Sequence, residues 1–151
     1  MSNTNANTDR SPYESAPRES ASGASALAGH EIMIVDDDQR TAGALAAILA
    51  EAGFRTTVLH TGLEALRHAK SAPVSAAIID VHLPDLNGLI LSKNLREKLG
   101  AAVPIFVVSG DTSMETINSL SLVGATHFFA KPMSPAYLVE QLKEAFRKAE
   151  G

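Results

Sequence analysis

The segment EIMIVDDD, residues 31–38, decides the fold, because an apolar run passes without a break into three acidic residues. The run from Ile32 to Val35 contains no polar residue, which is typical of a strand that is buried on both faces of a parallel sheet. In sheets of this kind, ligands bind beyond the carboxyl ends of the strands. The segment therefore predicts both a fold class and the place where chemistry should be sought.

Four further strand-like runs follow this segment, at residues 55–60, 76–80, 103–109 and 126–130. Each is short and rich in Ile, Val, Thr or Phe, and helical patterns separate them. Five β–α units in succession predict an α/β protein with a doubly wound, five-stranded parallel sheet that is covered by helices on both faces.

The helices are predicted from periodicity and from residues that begin helices. In the first helix one face carries Thr41, Leu45, Ile48, Leu49 and Ala52, and we expect this face to point inward. Later helix starts are indicated by Thr61 with Glu64, by Thr112 with Glu115, and by Ser134 before Pro135.

Polar residues stand at the ends of four of the five predicted strands. Asp36 and Asp37 follow the first strand, Asp80 ends the third, Ser109 ends the fourth, and Lys131 follows the fifth. Clustered carboxylates repel one another, and oxygen ligands without Cys or His favour Mg²⁺, with Mn²⁺ as a substitute. A carboxylate can also attack a phosphoryl group, a transfer that depends on positioning and charge neutralisation.

Composition argues against several classes of site and partner. The chain has 151 residues, a net charge of −4 and no Cys, which excludes disulfides, thiolate zinc sites and cysteine catalysis. Because the chain is acidic and has no run of Lys and Arg, direct DNA binding is not expected. It has neither an apolar run long enough for a membrane span nor a secretory signal, so we expect a cytoplasmic protein.

The chain is predicted to divide once. Residues 1–29 are mostly Ser, Asn, Thr, Ala, Gly and Pro, with too few large apolar groups to offset the entropy of ordering, and we expect a disordered N-terminal tail. Residues 30–149 form the predicted domain.

That domain resembles the receiver domain of two-component response regulators, on five motifs that occur in order. They lie in four segments: IMIVDDD at 32–38, IIDVHLPDLNG at 78–88, FVVSG at 106–110 and HFFAKP at 127–132. The last segment contains two of the five motifs. The resemblance implies a flavodoxin-like fold with strand order 2-1-3-4-5. It also implies that Asp80 accepts the phosphoryl group, and that Asp36, Asp37, Asp80 and the backbone carbonyl of His82 hold the metal ion.

The remaining residue roles also follow from the resemblance. Ser109 takes the position of the switch Ser or Thr, Lys131 that of the phosphoryl-binding Lys, and Phe128 that of the switch aromatic. A cis peptide bond between Lys131 and Pro132 is implied as well. Phe128 departs from the commoner Tyr, and therefore has no hydroxyl to contribute in an active state.

The resemblance implies a stand-alone response regulator that takes its phosphoryl group from a phosphohistidine on a histidine kinase or phosphotransfer protein. It would not be an enzyme beyond its own phosphorylation and dephosphorylation. Its output would be protein–protein binding or onward phosphotransfer, and the downstream target is unknown.

Three alternatives stay open at this point. The first is an adaptor that uses the receiver fold without phosphorylation, and the second is a fragment of a larger hybrid kinase. The third is a metal-dependent phosphatase, which would require an acid–base carboxylate two residues after the nucleophile, where His82 stands.

Overall fold

The computed structural model describes residues 29–111, 113–119, 124–125 and 127–150. For residues 149 and 150 it describes the backbone alone. The predicted tail lies outside the described residues, apart from Gly29, as does Thr112.

The five strands form a single parallel sheet. They are β1 (Glu31–Val35), β2 (Arg55–Leu59), β3 (Ala76–Asp80), β4 (Ile105–Ser109) and β5 (His127–Ala130). Their order is β2-β1-β3-β4-β5, which confirms the predicted order 2-1-3-4-5. Val35 pairs with Ile79, so the residues that follow them, Asp36 and Asp80, stand at the same level on neighbouring strands.

The described residues form five helices, four of which cover the two faces of the sheet. They are α1 (Gln39–Glu51), α2 (Gly62–Ser71), α3 (Gly88–Leu99), α4 (Met114–Ser119) and α5 (Pro135–Glu150). One core cluster joins α1 and α5 to the strand residues Ile32, Ile34, Ile78, Phe106 and Val108. The other joins α2 and α3 to Met33, Val35, Ala77, Ile79, Ile105 and Val107. Alternate residues of each central strand therefore enter opposite cores, which explains why these runs are apolar throughout.

Two predicted helix starts are confirmed. The Thr61 hydroxyl accepts a hydrogen bond from the Glu64 amide at 3.1 Å, and the Ser134 hydroxyl accepts one from the Tyr137 amide at 3.2 Å. At α4 the capping side chain among the described residues is Ser113, whose hydroxyl accepts from the Thr116 amide at 3.2 Å.

For one residue of α1, the prediction that it points inward is wrong. Thr41 is exposed, and the fully buried position is its neighbour Ala42. The physical reason is the N-cap: Asp38 accepts hydrogen bonds from the Arg40 and Thr41 amides and from the Thr41 hydroxyl, which holds Thr41 at the helix start.

Candidate functional site

Asp36 is held at the end of β1 by bonds to both neighbouring segments. Its amide donates to the Leu59 carbonyl of β2 at 3.0 Å, and its Oδ1 accepts from the Asp38 amide at 2.9 Å. Its own carbonyl oxygen lies 2.9 Å from Nδ1 of His60, which donates when that nitrogen carries the proton. These bonds fix a carboxylate that is only 7% exposed.

Asp80, the last residue of β3, is 6% exposed and has partners on both carboxylate oxygens. Its Oδ1 accepts from the His82 amide at 3.2 Å, and its Oδ2 lies 3.1 Å from Nζ of Lys131. The loop that follows folds tightly back on the strand, and a Cβ at Gly88 would lie 2.3 Å from the Asp80 carbonyl oxygen. Only glycine fits this position without moving the acidic residue.

Three carboxylates converge at this edge of the sheet. Carboxylate oxygens of Asp36, Asp37 and Asp80 lie within 4.8 Å of one another, and Asp37 is exposed to solvent. Burial raises the pKa of Asp36 above its ordinary value of 3.8; the Asp38 amide partly opposes the rise and the nearby Asp80 charge adds to it. Because all donors are hard oxygens and one side remains open to water, the residues present fit Mg²⁺.

Ser109 and Lys131 are joined through their backbones. The Ser109 carbonyl accepts from the Lys131 amide at 2.9 Å, and the buried Ser109 hydroxyl accepts from the Asp111 amide at 2.9 Å. The peptide bond between Lys131 and Pro132 is cis. The end of β4 and the lysine after β5 are thus held at one edge of the sheet.

The other two predicted site residues lie nearby in the fold. His82 is exposed and forms an isolated antiparallel bridge with Asn87, which closes the loop after β3. Phe128 is half-buried and packs against the core on the side of α2 and α3. The metal-binding role of the His82 carbonyl and the switching role of Phe128 stay predictions.

A cavity of about 590 Å³ opens beside the carboxylates. Asp36, Asp80 and Lys131 line it together with Arg40 and Thr41 of α1. Sequence reasoning missed these two residues as part of the site. Their position directly after the acidic segment, in the first turn of a helix that begins at the same edge, is the signal that could have found them.

Comparison with known proteins agrees with this geometry. A family model described as "Response regulator receiver domain" matches residues 32–143, which is well over half of the chain. The chain belongs to this family. It is therefore a receiver domain of a response regulator in two-component signalling, with the fold that the family resemblance implied.

Relatives and solved structures support the assignment. The transcriptional regulatory protein GltR of Pseudomonas aeruginosa is 31% identical over 124 residues, which cover 81% of this chain and 51% of GltR. The regulatory protein VanR of Enterococcus faecium is 29% identical over 119 residues, covering 78% and 50% respectively. A CheY-like receiver domain protein from Methanospirillum hungatei superimposes with a TM-score of 0.76 at 28% identity, covering 80% of this chain and 96% of that one.

The receiver chain spans about half the length of these two curated relatives. Within the described residues, the structure contains no helix with the length and apolar character that crossing a membrane requires.

Proposed function

We propose that this receiver domain accepts a phosphoryl group onto Asp80, in the presence of Mg²⁺, from a phosphohistidine on a histidine kinase or a histidine phosphotransfer protein. The observation that carries the proposal is the environment of Asp80. Its carboxylate is buried at a strand end, among two further carboxylates and 3.1 Å from the Lys131 ammonium.

In the proposed reaction an oxygen of the Asp80 carboxylate attacks the phosphorus atom. The P–N bond to the donor histidine breaks as the P–O bond forms, and the departing imidazole nitrogen keeps the electron pair. Lys131 then pairs with a phosphoryl oxygen in place of the Asp80 oxygen that it now contacts, and the Ser109 hydroxyl supplies a further donor. This chemistry is self-catalysed and has no separate substrate that is turned over.

The metal ion would be held by Asp36, Asp37, Asp80 and the His82 carbonyl. When bound, it supplies positive charge that offsets both the carboxylates and the oxygens of the transferred group. Asp36 and its hydrogen-bonding partners His60 and Asp38 keep the acidic pair in place before the ion arrives.

Phosphorylation would act as a switch and not as an end in itself. A phosphoryl group adds negative charge and acceptor oxygens next to Ser109 and Lys131, which biases the surface formed by α4, β5 and α5. The signal then leaves by protein–protein binding or by onward phosphotransfer. We also propose that the protein is cytoplasmic, and that this acidic domain binds neither a membrane nor DNA directly.

Labelling with a small-molecule phosphoryl donor tests the proposal. With acetyl phosphate and Mg²⁺, intact-protein mass spectrometry should show one added phosphoryl group on the parent protein and none on Asp80→Asn. Asp38→Asn is the matched control, because Asp38 belongs to the same acidic run but caps α1, and it should be labelled like the parent.

Two results would contradict the proposal. Full labelling of Asp80→Asn would place the phosphoryl group elsewhere. A folded parent that is never labelled would favour the alternative of a phosphorylation-independent adaptor.

A further inference from the structure

The loop after Asp80 is tied to the start of α2 by one side chain. Oδ1 of Asp85 accepts a hydrogen bond from the Gly62 amide at 2.8 Å, and its Oδ2 accepts one from the Leu63 amide at 2.9 Å. The carboxylate therefore spans two successive amides at a helix N-terminus, in a segment of the chain more than twenty residues away. The same amide bonds lower the pKa of Asp85, so the ionised form is the one that is held.

The helix already has a local cap, which makes the contribution of Asp85 distinct. The Thr61 hydroxyl accepts from the Glu64 amide, and the Glu64 carboxylate accepts from the His60 amide at 2.9 Å. Asp85 accepts hydrogen bonds from two further amides of the first turn. Amides at this position have no acceptor within the helix itself. The consequence specific to Asp85 is that its own loop becomes fixed to α2.

That loop carries the backbone of the phosphoryl-accepting site. The His82 amide donates to Asp80 Oδ1 at 3.2 Å, and the Gly88 amide returns to the Val81 carbonyl at 2.8 Å. Leu86 presses against the start of α2 so closely that a Cβ on Gly62 would lie 2.7 Å from its Cγ. Residues 81–88 are thus held at β3 on one side and at α2 on the other.

We propose that Asp85 is a positioning residue for the Mg²⁺ site. By fixing the loop on α2, it holds the backbone of His82 where Asp80 and the cation require it. This inference rests on the proposed function for the presence of the metal ion. Because coupling between two sites is reciprocal, cation binding should also steady the first turn of α2.

Mg²⁺ titration by calorimetry on the full chain tests the proposal. Asp85→Ala should weaken Mg²⁺ binding about tenfold, at the lower end of the losses seen when groups behind metal ligands are removed. Thr61→Ala is the matched control, because it removes the local cap of the same helix without touching the loop, and its Mg²⁺ affinity should stay within about twofold of the parent. Asp85→Asn keeps one acceptor oxygen and should recover part of the loss.

Amide hydrogen exchange supplies a second measurement that does not depend on phosphorylation. In the parent, saturating Mg²⁺ should slow exchange at Gly62 and Leu63, whereas in Asp85→Ala both amides should exchange rapidly with or without the ion. Melting temperatures of the two alanine variants establish that both are folded.

The outcomes separate this inference from the proposed function. A parent that binds Mg²⁺, with Asp85→Ala binding equally well, overturns the positioning role alone. Equal losses in Asp85→Ala and Thr61→Ala would assign the effect to helix stability and overturn it too. A folded parent that binds no Mg²⁺ contradicts the proposed metal site and this inference together.

Discussion

Both edges of the sheet hold ionisable side chains that are at least partly buried, but the two edges stabilise them in different ways. At the carboxyl edge, the carboxylates of Asp36, Asp37 and Asp80 converge, and Lys131 forms an ion pair with Asp80. At the amino edge, the guanidinium of Arg96 is half-buried. Within the part of the chain that the structure describes, it donates four hydrogen bonds to the backbone carbonyls of Gly100, Val103 and Gly124.

The difference separates a functional site from a structural one. The carbonyls around Arg96 are fixed acceptors that join the end of α3 to the segments before β4 and β5, so this group stabilises the fold as it stands. The carboxyl edge instead gathers negative charge in excess, an arrangement that opposes folding until a cation binds. Charge removal should therefore act in opposite directions at the two edges.

The largest effect is expected for Mg²⁺ affinity when Asp37 is replaced, and its neighbour Asp38 serves as the comparison. Asp37→Ala should lose Mg²⁺ affinity by more than about 100-fold, because a direct ligand matters more than the groups behind it. Asp38→Ala should keep its affinity and lose only the cap of α1. Calorimetric titration of both variants checks this, and equal affinities would mean that Asp37 is not a ligand.

At the opposite edge, Arg96→Ala should lower the free energy of unfolding by about 2–3 kcal/mol, since it leaves several carbonyls without their donor. Arg147→Ala is the control, because its pair with Glu144 is exposed and should contribute about 0.5 kcal/mol or less. Urea unfolding measures both, and equal stabilities would remove the structural role of Arg96.

Asp36→Asn should change stability in the other direction. The Asp36 pKa is raised in the folded protein, so the folded state loses stability as the pH rises through that pKa, and a neutral amide avoids the loss. Without Mg²⁺ at pH 7 we expect a gain on the order of 1 kcal/mol. Unfolding from pH 3 to pH 8 in the presence of a chelator should show the gain shrinking toward low pH, and a destabilised variant at pH 7 would contradict it.

The smallest effect concerns His127, the first residue of β5. Its ring stacks on Phe106 at 4.8 Å, and among the described residues its buried Nδ1 has no hydrogen-bond partner. Burial, and then the charge of Lys148, lower the pKa of His127 below 6.5.

Stability should therefore be retained above about pH 6.5 and decrease as the pH falls through the lowered pKa of His127. His127→Phe should remove this dependence, a change of less than about 1 kcal/mol. Melting temperatures between pH 4.5 and 8 measure it, and an identical acid loss in both proteins would assign it to other groups.

Sequence alone could predict the sheet because its signals are local. The apolar run from Ile32 to Val35, and the acidic or polar residue that ends each central strand, are readable from neighbouring positions. The structure confirms those strands with bounds within two residues, and the same regularity places Asp36, Asp80 and Lys131 at one edge.

What could not be predicted depends on contacts between distant segments. The hydrogen bonds between Asp85 and α2 join segments that are distant in sequence. The acceptors of Arg96 are backbone carbonyls, which every residue type has, so the sequence does not show which of them Arg96 binds. The error at Thr41 has a similar origin, because periodicity does not register that a helix cap competes for the side chain.

The central claim is that the charge gathered at the carboxyl edge serves phosphoryl transfer to Asp80, and peptide mapping of the phosphorylated protein tests it most directly. After reaction with acetyl phosphate and Mg²⁺, the phosphoryl group should lie on the peptide that contains Asp80 and should be removed by hydroxylamine, as expected for an acyl phosphate. A phosphoryl group on Ser109, on a histidine or on another carboxylate would contradict the account.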